Sequence, residues 1–134
     1  MRIAVDTNLI LRLVVRDDEA QTRIALQEFQ QADVVIVPLV ALCEAVWVMQ
    51  STYKISRPGI AETIRRLIEI PSIDVDRPEV EAGLAMLDLG GDFADGVIAR
   101  QGRAKRAESL ITFDRKAVDR LNRLGETARL AGST

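Results

Sequence analysis

Short runs of β-branched and apolar residues alternate with longer segments of helical periodicity along the whole chain. The runs that predict strands are 2–5, 34–37, 73–75, 109–111 and 128–130. The first segment that predicts a helix begins near residue 9. The others are 18–31, 39–53, 56–70, 78–89, 93–106 and 115–124. Because short apolar strands separated by helices are typical of a parallel sheet covered on both faces, this alternation predicts an α/β fold.

Length and composition are those of an ordinary folded protein. The 134 residues are the size of one domain, which we expect to span 1–134, and 48% are hydrophobic while 28% are charged. The longest apolar stretch, residues 34–49, contains Pro38 and Glu44 and is shorter than the ~20 residues that span a bilayer. The first residues reach Asp6 without the apolar stretch of a signal peptide, which predicts a cytoplasmic protein with no membrane segment.

The chain contains no histidine and a single cysteine, Cys43. The absence of histidine excludes the commonest general base, a histidine-dependent nucleophile triad and most zinc sites. A single cysteine excludes an internal disulfide. If the chain is an enzyme, carboxylates must therefore carry its chemistry.

Two aspartates each follow a predicted strand. Asp6 comes just after the first strand, and Asp114 comes just after the strand at 109–111. Because the carboxyl ends of parallel strands lie at one edge of a sheet, we expect the two acids to emerge at the same edge. Each acid also precedes a predicted helix, so the alternative for either is a simple N-cap.

Glu44 is the only charged side chain between Leu39 and Met49. A helix that is apolar on nearly every face is usually buried. Trp47, Met49 and Tyr53 could form part of a partner-binding groove, but apolar residues at helix spacing lie in cores far more often, so we expect them in the core. A carboxylate buried without a partner is costly unless it is protonated, paired or bound to a cation. The alternative to cation binding is an ion pair with an arginine.

Asp92 and Asp95 lie three residues apart at a predicted helix start after Gly90-Gly91. This spacing puts both on neighbouring parts of one helix face, so one can cap the helix while the other binds a ligand. Several acids that converge repel one another, and a divalent cation relieves that repulsion. Oxygen ligands suit Mg²⁺ or Mn²⁺, and such an ion supports phosphodiester hydrolysis without histidine.

The order of these motifs resembles that of the PIN-domain family over the whole chain. The resemblance rests on Asp6-Thr7-Asn8, on Glu44, on Asp92-Phe93-Ala94-Asp95 before Gly96-Val97-Ile98-Ala99, and on Thr112-Phe113-Asp114. It implies a three-layer α/β/α sandwich with a central, mostly parallel sheet of four to five strands. It also implies a ribonuclease that uses Mg²⁺ or Mn²⁺.

Site residues follow from the resemblance motif by motif. The implied catalytic and metal-binding quartet is Asp6, Glu44, Asp95 and Asp114. Asp92, Asn8 and Thr112 match positions that support the site in relatives. Relatives usually have alanine after the third acid, whereas this chain has Gly96, which we expect to weaken the helix start slightly and to leave the quartet intact.

Small stand-alone members of this family are mostly VapC-like toxins. The resemblance therefore implies an RNA substrate, neutralisation by a cognate antitoxin protein, and a homodimer within a larger complex. An antitoxin is expected to lay an apolar segment on the toxin and to send a basic residue toward the acidic site.

Basic residues concentrate in the last third of the chain. From Arg100 to Arg123 there are eight basic residues and three acids, a local charge of +5 in a chain whose formal net charge is −2. Arg115 and Lys116 directly follow Asp114 and are the best candidates to hold RNA phosphates. The alternative is that such cations belong to solvated helix faces or favourable helix ends.

Two other functions remain open from the sequence. A haloacid-dehalogenase-like phosphatase would need a second aspartate two positions after Asp6, and that position is Asn8. A PIN-like module that binds RNA or protein without cleaving it typically lacks acids of the quartet, whereas all four are present here.

Overall fold

The computed structural model describes residues 1–133 and divides the chain into two compact units, the first ending at Asp76 and the second beginning at Arg77. The first unit contains three strands and four helices. In chain order these are β1 (Arg2–Ala4), α1 (Thr7–Val14), α2 (Glu19–Gln31), β2 (Val34–Ile36), α3 (Leu39–Ser51), α4 (Arg57–Ile68) and β3 (Ile73–Asp74).

The sheet of the first unit is parallel and has β2 at its centre. Ile3 is opposite Val35 across the β1–β2 pair, and Val35 is opposite Ile73 across the β2–β3 pair. Val35 is completely buried, and the largest side chains of this core come from the helices: Ile10, Leu42, Met49, Ile60 and Ile64.

Up to residue 133, the second unit contains three helices and two strands. They are α5 (Arg77–Asp88), α6 (Phe93–Ala104), β4 (Leu110–Thr112), α7 (Arg115–Arg123) and β5 (Ala128–Leu130). The two strands pair in parallel, with Leu110 opposite Ala128. Its most deeply buried large side chains are Val80, Met86, Phe93 and Leu121.

The predicted α/β class is confirmed. All five predicted strands are present, and every strand pair among the described residues is parallel. The strands pair as one group of three and one group of two. Among residues 1–133, none of the helices combines the length and the hydropathy needed to cross a membrane.

The prediction that α3 is buried on all sides is wrong. Met49 is buried as predicted, but 77% of Val40 and 65% of Trp47 is exposed, and Tyr53 is only partly buried. Glu44 is exposed on the same face, because positions 40, 44 and 47 follow helical spacing. The helix packs against α1 and α4, which cover the side that carries Leu42, Ala45 and Met49.

Candidate functional site

Asp6 is positioned by the end of β1 and the start of α1. The Val5 amide still donates to Ile36 O at 3.1 Å, so the chain leaves the sheet immediately before Asp6. Asp6 is the N-cap of α1, and its Oδ1 accepts a hydrogen bond from the Leu9 amide at 2.9 Å. The side chain is exposed, and its second oxygen has no hydrogen-bond partner among residues 1–133. Asp6 can therefore cap a helix and still bind a ligand.

Glu44 lies on α3, which packs against α1. The Thr7 hydroxyl donates to Ala41 O at 3.4 Å, and this bond joins the start of α1 to the first turn of α3. Glu44 follows Ala41 by three residues, so within the first unit Asp6 and Glu44 belong to adjoining helix segments.

The sequence argument for Glu44 relied on burial, and that argument is wrong. The carboxylate is exposed, and no arginine of the described chain forms an ion pair with it. A missed signal was available, because Val40, Glu44, Trp47 and Ser51 recur at spacings of three and four and so mark one face that includes polar side chains.

Asp114 in the second unit lies in the same local arrangement as Asp6, between the end of a strand and the start of a helix. It follows β4 and caps α7, with Oδ1 accepting from the Ala117 amide at 3.0 Å. The Asp114 amide donates to the Thr112 hydroxyl at 3.1 Å, so Thr112 fixes the turn that presents the carboxylate. Asp114 is exposed, and its second oxygen is unpaired within residues 1–133.

Asp92 and Asp95 flank the start of α6. Asp92 occupies the N-cap position, but its side chain makes no capping hydrogen bond, which leaves the whole exposed carboxylate available. Asp95 lies in the first turn and is partly buried. Burial raises the pKa of the Asp95 carboxyl above its usual value, and the charges of Asp92 and Asp114 raise that pKa further.

The raised pKa of Asp95 shows that the charges of Asp92 and Asp114 act on this carboxyl group within the second unit. A divalent cation would replace this repulsion by attraction, and carboxylate oxygens are the ligands that Mg²⁺ and Mn²⁺ prefer. Among residues 1–133, no three His, Cys, Asp or Glu side chains already form a group with metal-site geometry. The donor chemistry and the electrostatics of these acids thus fit a divalent cation without a preformed cage.

The remaining predicted residues lie beside these acids in the chain. Asn8 is the second residue of α1, and its side chain is exposed. Arg115 and Lys116 are the first two residues of α7, and both are exposed. A helix N-terminus disfavours cations, so the helix-end alternative does not explain these two side chains.

Comparison with known families gives one match. The family model described as PIN domain matches residues 3–124. A search of curated proteins finds no match. The matched range contains every acid described above.

Proposed function

Because the chain belongs to the PIN domain family, whose members share a nuclease fold, we propose that it is a metal-dependent endoribonuclease that hydrolyses RNA phosphodiester bonds. The observation that carries the proposal is the partly buried Asp95, whose pKa is raised by burial and by the charges of Asp92 and Asp114. Carboxyl groups with a pKa raised in this way are common at catalytic sites, and they lower the stability of the folded protein.

We assign the metal-ligand role to Asp6, Glu44, Asp95 and Asp114. When bound there, Mg²⁺ or Mn²⁺ would activate water and neutralise charge on the phosphoryl group. The chain's own residues orient these ligands. Asp6 and Asp114 are held by their helix caps, and Thr112 fixes the turn at Asp114.

Other polar residues have supporting roles in this proposal. Asp92 supplies an additional carboxylate at the start of α6, and Asn8 offers an exposed amide next to Asp6 in the chain. Arg115 and Lys116 hold phosphates of the RNA on either side of the bond that is cut. Their exposure at a helix end that does not favour cations supports this role.

The first test is cleavage of a mixed pool of structured and single-stranded RNAs by the purified chain. Cleavage is expected with Mg²⁺ or Mn²⁺ and is expected to stop with EDTA. Asp6→Asn keeps an oxygen that can cap α1 but removes a charged ligand, so it should lower the cleavage rate on the order of a hundredfold or more.

Asp18→Asn is the matched control for this substitution. Asp18 caps α2 through its Oδ1, which accepts from the Gln21 amide at 3.0 Å, and it has no proposed role in cleavage. Its variant should cleave RNA at the wild-type rate. Cleavage that persists in EDTA, or an equal loss in both variants, would contradict the assignment. RNA binding without turnover or metal dependence would instead indicate a binding module.

We further propose that the protein is the toxin of a VapBC-type pair, a homodimer that a cognate antitoxin inhibits. A groove of about 360 Å³ in the first unit supports an apolar partner segment. Its lining includes Leu13, Leu26, Phe29, Leu67 and Ile70, with Arg16 and Arg66 as its cations. Failure of the product of an adjacent gene to copurify when co-expressed would count against this role.

A further inference from the structure

The exposed indole of Trp47 lies beside a shallow depression of about 380 Å³ in the first unit. We call this depression the Trp47 surface. Its lining consists of Trp47, Gln50, Ser51, Lys54, Ile55, Ser56 and Arg57. An indole that is 65% exposed is unusual for so large an apolar side chain, and it offers a flat face for a ligand.

The Trp47 surface is locally cationic. Lys54 contributes an exposed positive charge, and the lining contains no acid, although the whole chain carries a formal charge of −2. An apolar partner that covered this surface would have to desolvate the Lys54 ammonium group. A polyanion would instead be attracted to it.

The hydroxyl groups at this surface are already engaged within the chain. The Ser51 hydroxyl donates to Trp47 O at 2.8 Å, and the Ser56 hydroxyl accepts from the Gly59 amide at 3.2 Å. The ligand-facing groups are therefore the Trp47 ring, the Gln50 amide and the Lys54 ammonium group. This set combines an aromatic platform, a hydrogen-bonding amide and a cation.

The Trp47 surface also adjoins a proposed metal ligand. Trp47 follows Glu44 by three residues on α3, so the two side chains lie about one turn apart on the same exposed face. A chain that stacked one base on Trp47 would have its backbone next to Glu44.

We propose that the Trp47 surface is a subsite for single-stranded RNA, in which Trp47 stacks on a base while Lys54 contacts a phosphate. The inference rests on the proposed nuclease function for its choice of RNA. Base stacking on aromatic side chains and backbone contacts from cations are the usual means of binding single strands. Bases within a duplex are already stacked on each other, which gives the subsite a preference for unpaired RNA.

Intrinsic fluorescence tests the subsite directly, because Trp47 is the only tryptophan of the chain. The full-length protein is titrated with a short single-stranded RNA in EDTA, so that no cleavage occurs, and in parallel with a duplex of the same length. We expect saturable quenching by the single strand and weaker quenching by the duplex. An emission spectrum unchanged by any RNA would overturn the proposal.

Variants separate stacking from charge. Trp47→Ala should weaken single-strand binding about tenfold, as measured by anisotropy of labelled RNA, whereas Trp47→Phe should retain most of the affinity. Lys54→Gly should weaken binding and lower the slope of log affinity against log salt by about 0.7, the value for one phosphate contact. Wild-type affinity in both Trp47→Ala and Lys54→Gly would overturn the proposal.

Arg106→Gly is the matched control for Lys54→Gly. Arg106 and Lys54 both adopt a left-handed backbone conformation, with φ of 68° and 56°, so glycine fits both positions and the two variants lose the same charge. Arg106 lies outside the Trp47 surface, and its variant should keep wild-type affinity. If Trp47→Ala dissociates a dimer and leaves RNA affinity unchanged, the surface is a contact between copies of the chain and the proposal fails.

The outcomes also distinguish this proposal from the nuclease assignment. All variants leave Asp6, Glu44, Asp95 and Asp114 in place, and binding is measured without metal. Metal-dependent cleavage together with unresponsive Trp47 fluorescence would reject the subsite alone. Quenching by single-stranded RNA without cleavage would reject the nuclease function alone.

Discussion

Asp95 is partly buried and lies near two carboxylates that share its charge, an arrangement that does not favour folding. Burial disfavours the ionised form, and Asp92 and Asp114 add to this effect. The folded chain therefore holds the Asp95 proton more tightly than the unfolded chain does. Strain of this kind is typical of a site that is selected for binding or catalysis at some expense of stability.

We predict that Asp95→Asn stabilises the metal-free protein while it removes cleavage. A carboxyl whose pKa is raised by folding leaves stability unaffected below its unfolded pKa. The stability then falls as the pH rises through the raised, folded pKa. The gain in the free energy of unfolding of Asp95→Asn should thus be largest at neutral pH and should vanish in acid. It should stay below about 1 kcal/mol, because solvent screens a partly exposed group.

Thermal melts in EDTA between acidic and neutral pH measure this effect. Glu108→Gln, which neutralises an exposed acid outside the cluster, provides the control and should show no such pH-dependent gain. A neutral-pH melting temperature of Asp95→Asn at or below that of the wild type would contradict the electrostatic explanation.

Side-chain positions relative to the elements could be predicted from the sequence, but exposure could not. The capping roles of Asp6 and Asp114 follow from their place before a helix, and both caps form. The sequence points to Glu44 as a buried residue because the apolar pattern of its helix leaves no evident polar face. Its actual exposure depends on which neighbours cover α3, and that information lies in tertiary contacts rather than in the local pattern.

At the scale of elements, α5 and α6 approach each other so closely that side chains are excluded at two positions. A Cβ added at Gly96 would lie 2.3 Å from Ala82 O and 2.9 Å from Gly83 Cα. A Cβ added at Gly83 would lie 2.5 Å from the Phe93 ring, which is fully buried. The glycine at position 96, which the sequence marks as a slight weakness of the helix start, is therefore required by packing.

We predict that Gly96→Ala, which restores the residue usual in relatives, destabilises this chain by about 1–3 kcal/mol. The clash involves backbone atoms of α5, so the two helices must separate to relieve it. Urea denaturation followed by circular dichroism measures the loss.

Gly102→Ala is the control within the same helix. A Cβ there would have its nearest neighbour, Ala107 Cβ, at 3.7 Å, which is an ordinary contact. The free energy of unfolding of this variant should rise by about 0.5–1 kcal/mol, because alanine is the better helix former. If the two alanine variants changed the free energy of unfolding equally, helix propensity alone would explain both effects and the clash at Gly96 would be contradicted.

Element boundaries were predictable because each signal is local. Asp18, Ser56 and Asp114 each accept a capping hydrogen bond from an amide three residues further on, and the helices begin directly after these residues. The grouping of strands into one set of three and one set of two could not be predicted. Strand order depends on contacts between distant segments, and every one of these short apolar runs carries the same local pattern.

At the scale of the whole molecule, the formal charge of −2 hides an uneven distribution. The proposed ligands Asp6, Glu44 and Asp95 contribute negative charges outside the segment from Arg100 to Arg123, whereas that segment carries +5 with Asp114 included. Affinity for a nucleic acid depends on the cations that contact phosphates rather than on the total charge.

We predict that the double variant Arg115→Gln, Lys116→Gln weakens RNA binding uniformly across sequences. The slope of log affinity against log salt should fall by roughly 1.4, since each phosphate contact with a single strand contributes about 0.7. Anisotropy titrations at several salt concentrations, in EDTA, provide the measurement.

Lys105→Gln, Arg106→Gln is the control with the same change in charge. These cations follow the C-terminus of α6, where the helix dipole favours them without any ligand. Their loss should leave the salt slope nearly unchanged. Equal slopes for the two double variants would indicate a diffuse electrostatic effect and no specific phosphate contact at the start of α7.

The double use of Asp6 and Asp114 restricts how this protein can change over generations. Each aspartate closes the start of a helix with one oxygen and keeps the other for its proposed ligand role. Substitution of either aspartate by an apolar residue would lower the stability by about 1 kcal/mol through loss of the helix cap, in addition to removing the activity. Descendants that abandon cleavage and still fold well should therefore reach that state through asparagine, serine or threonine at these two positions.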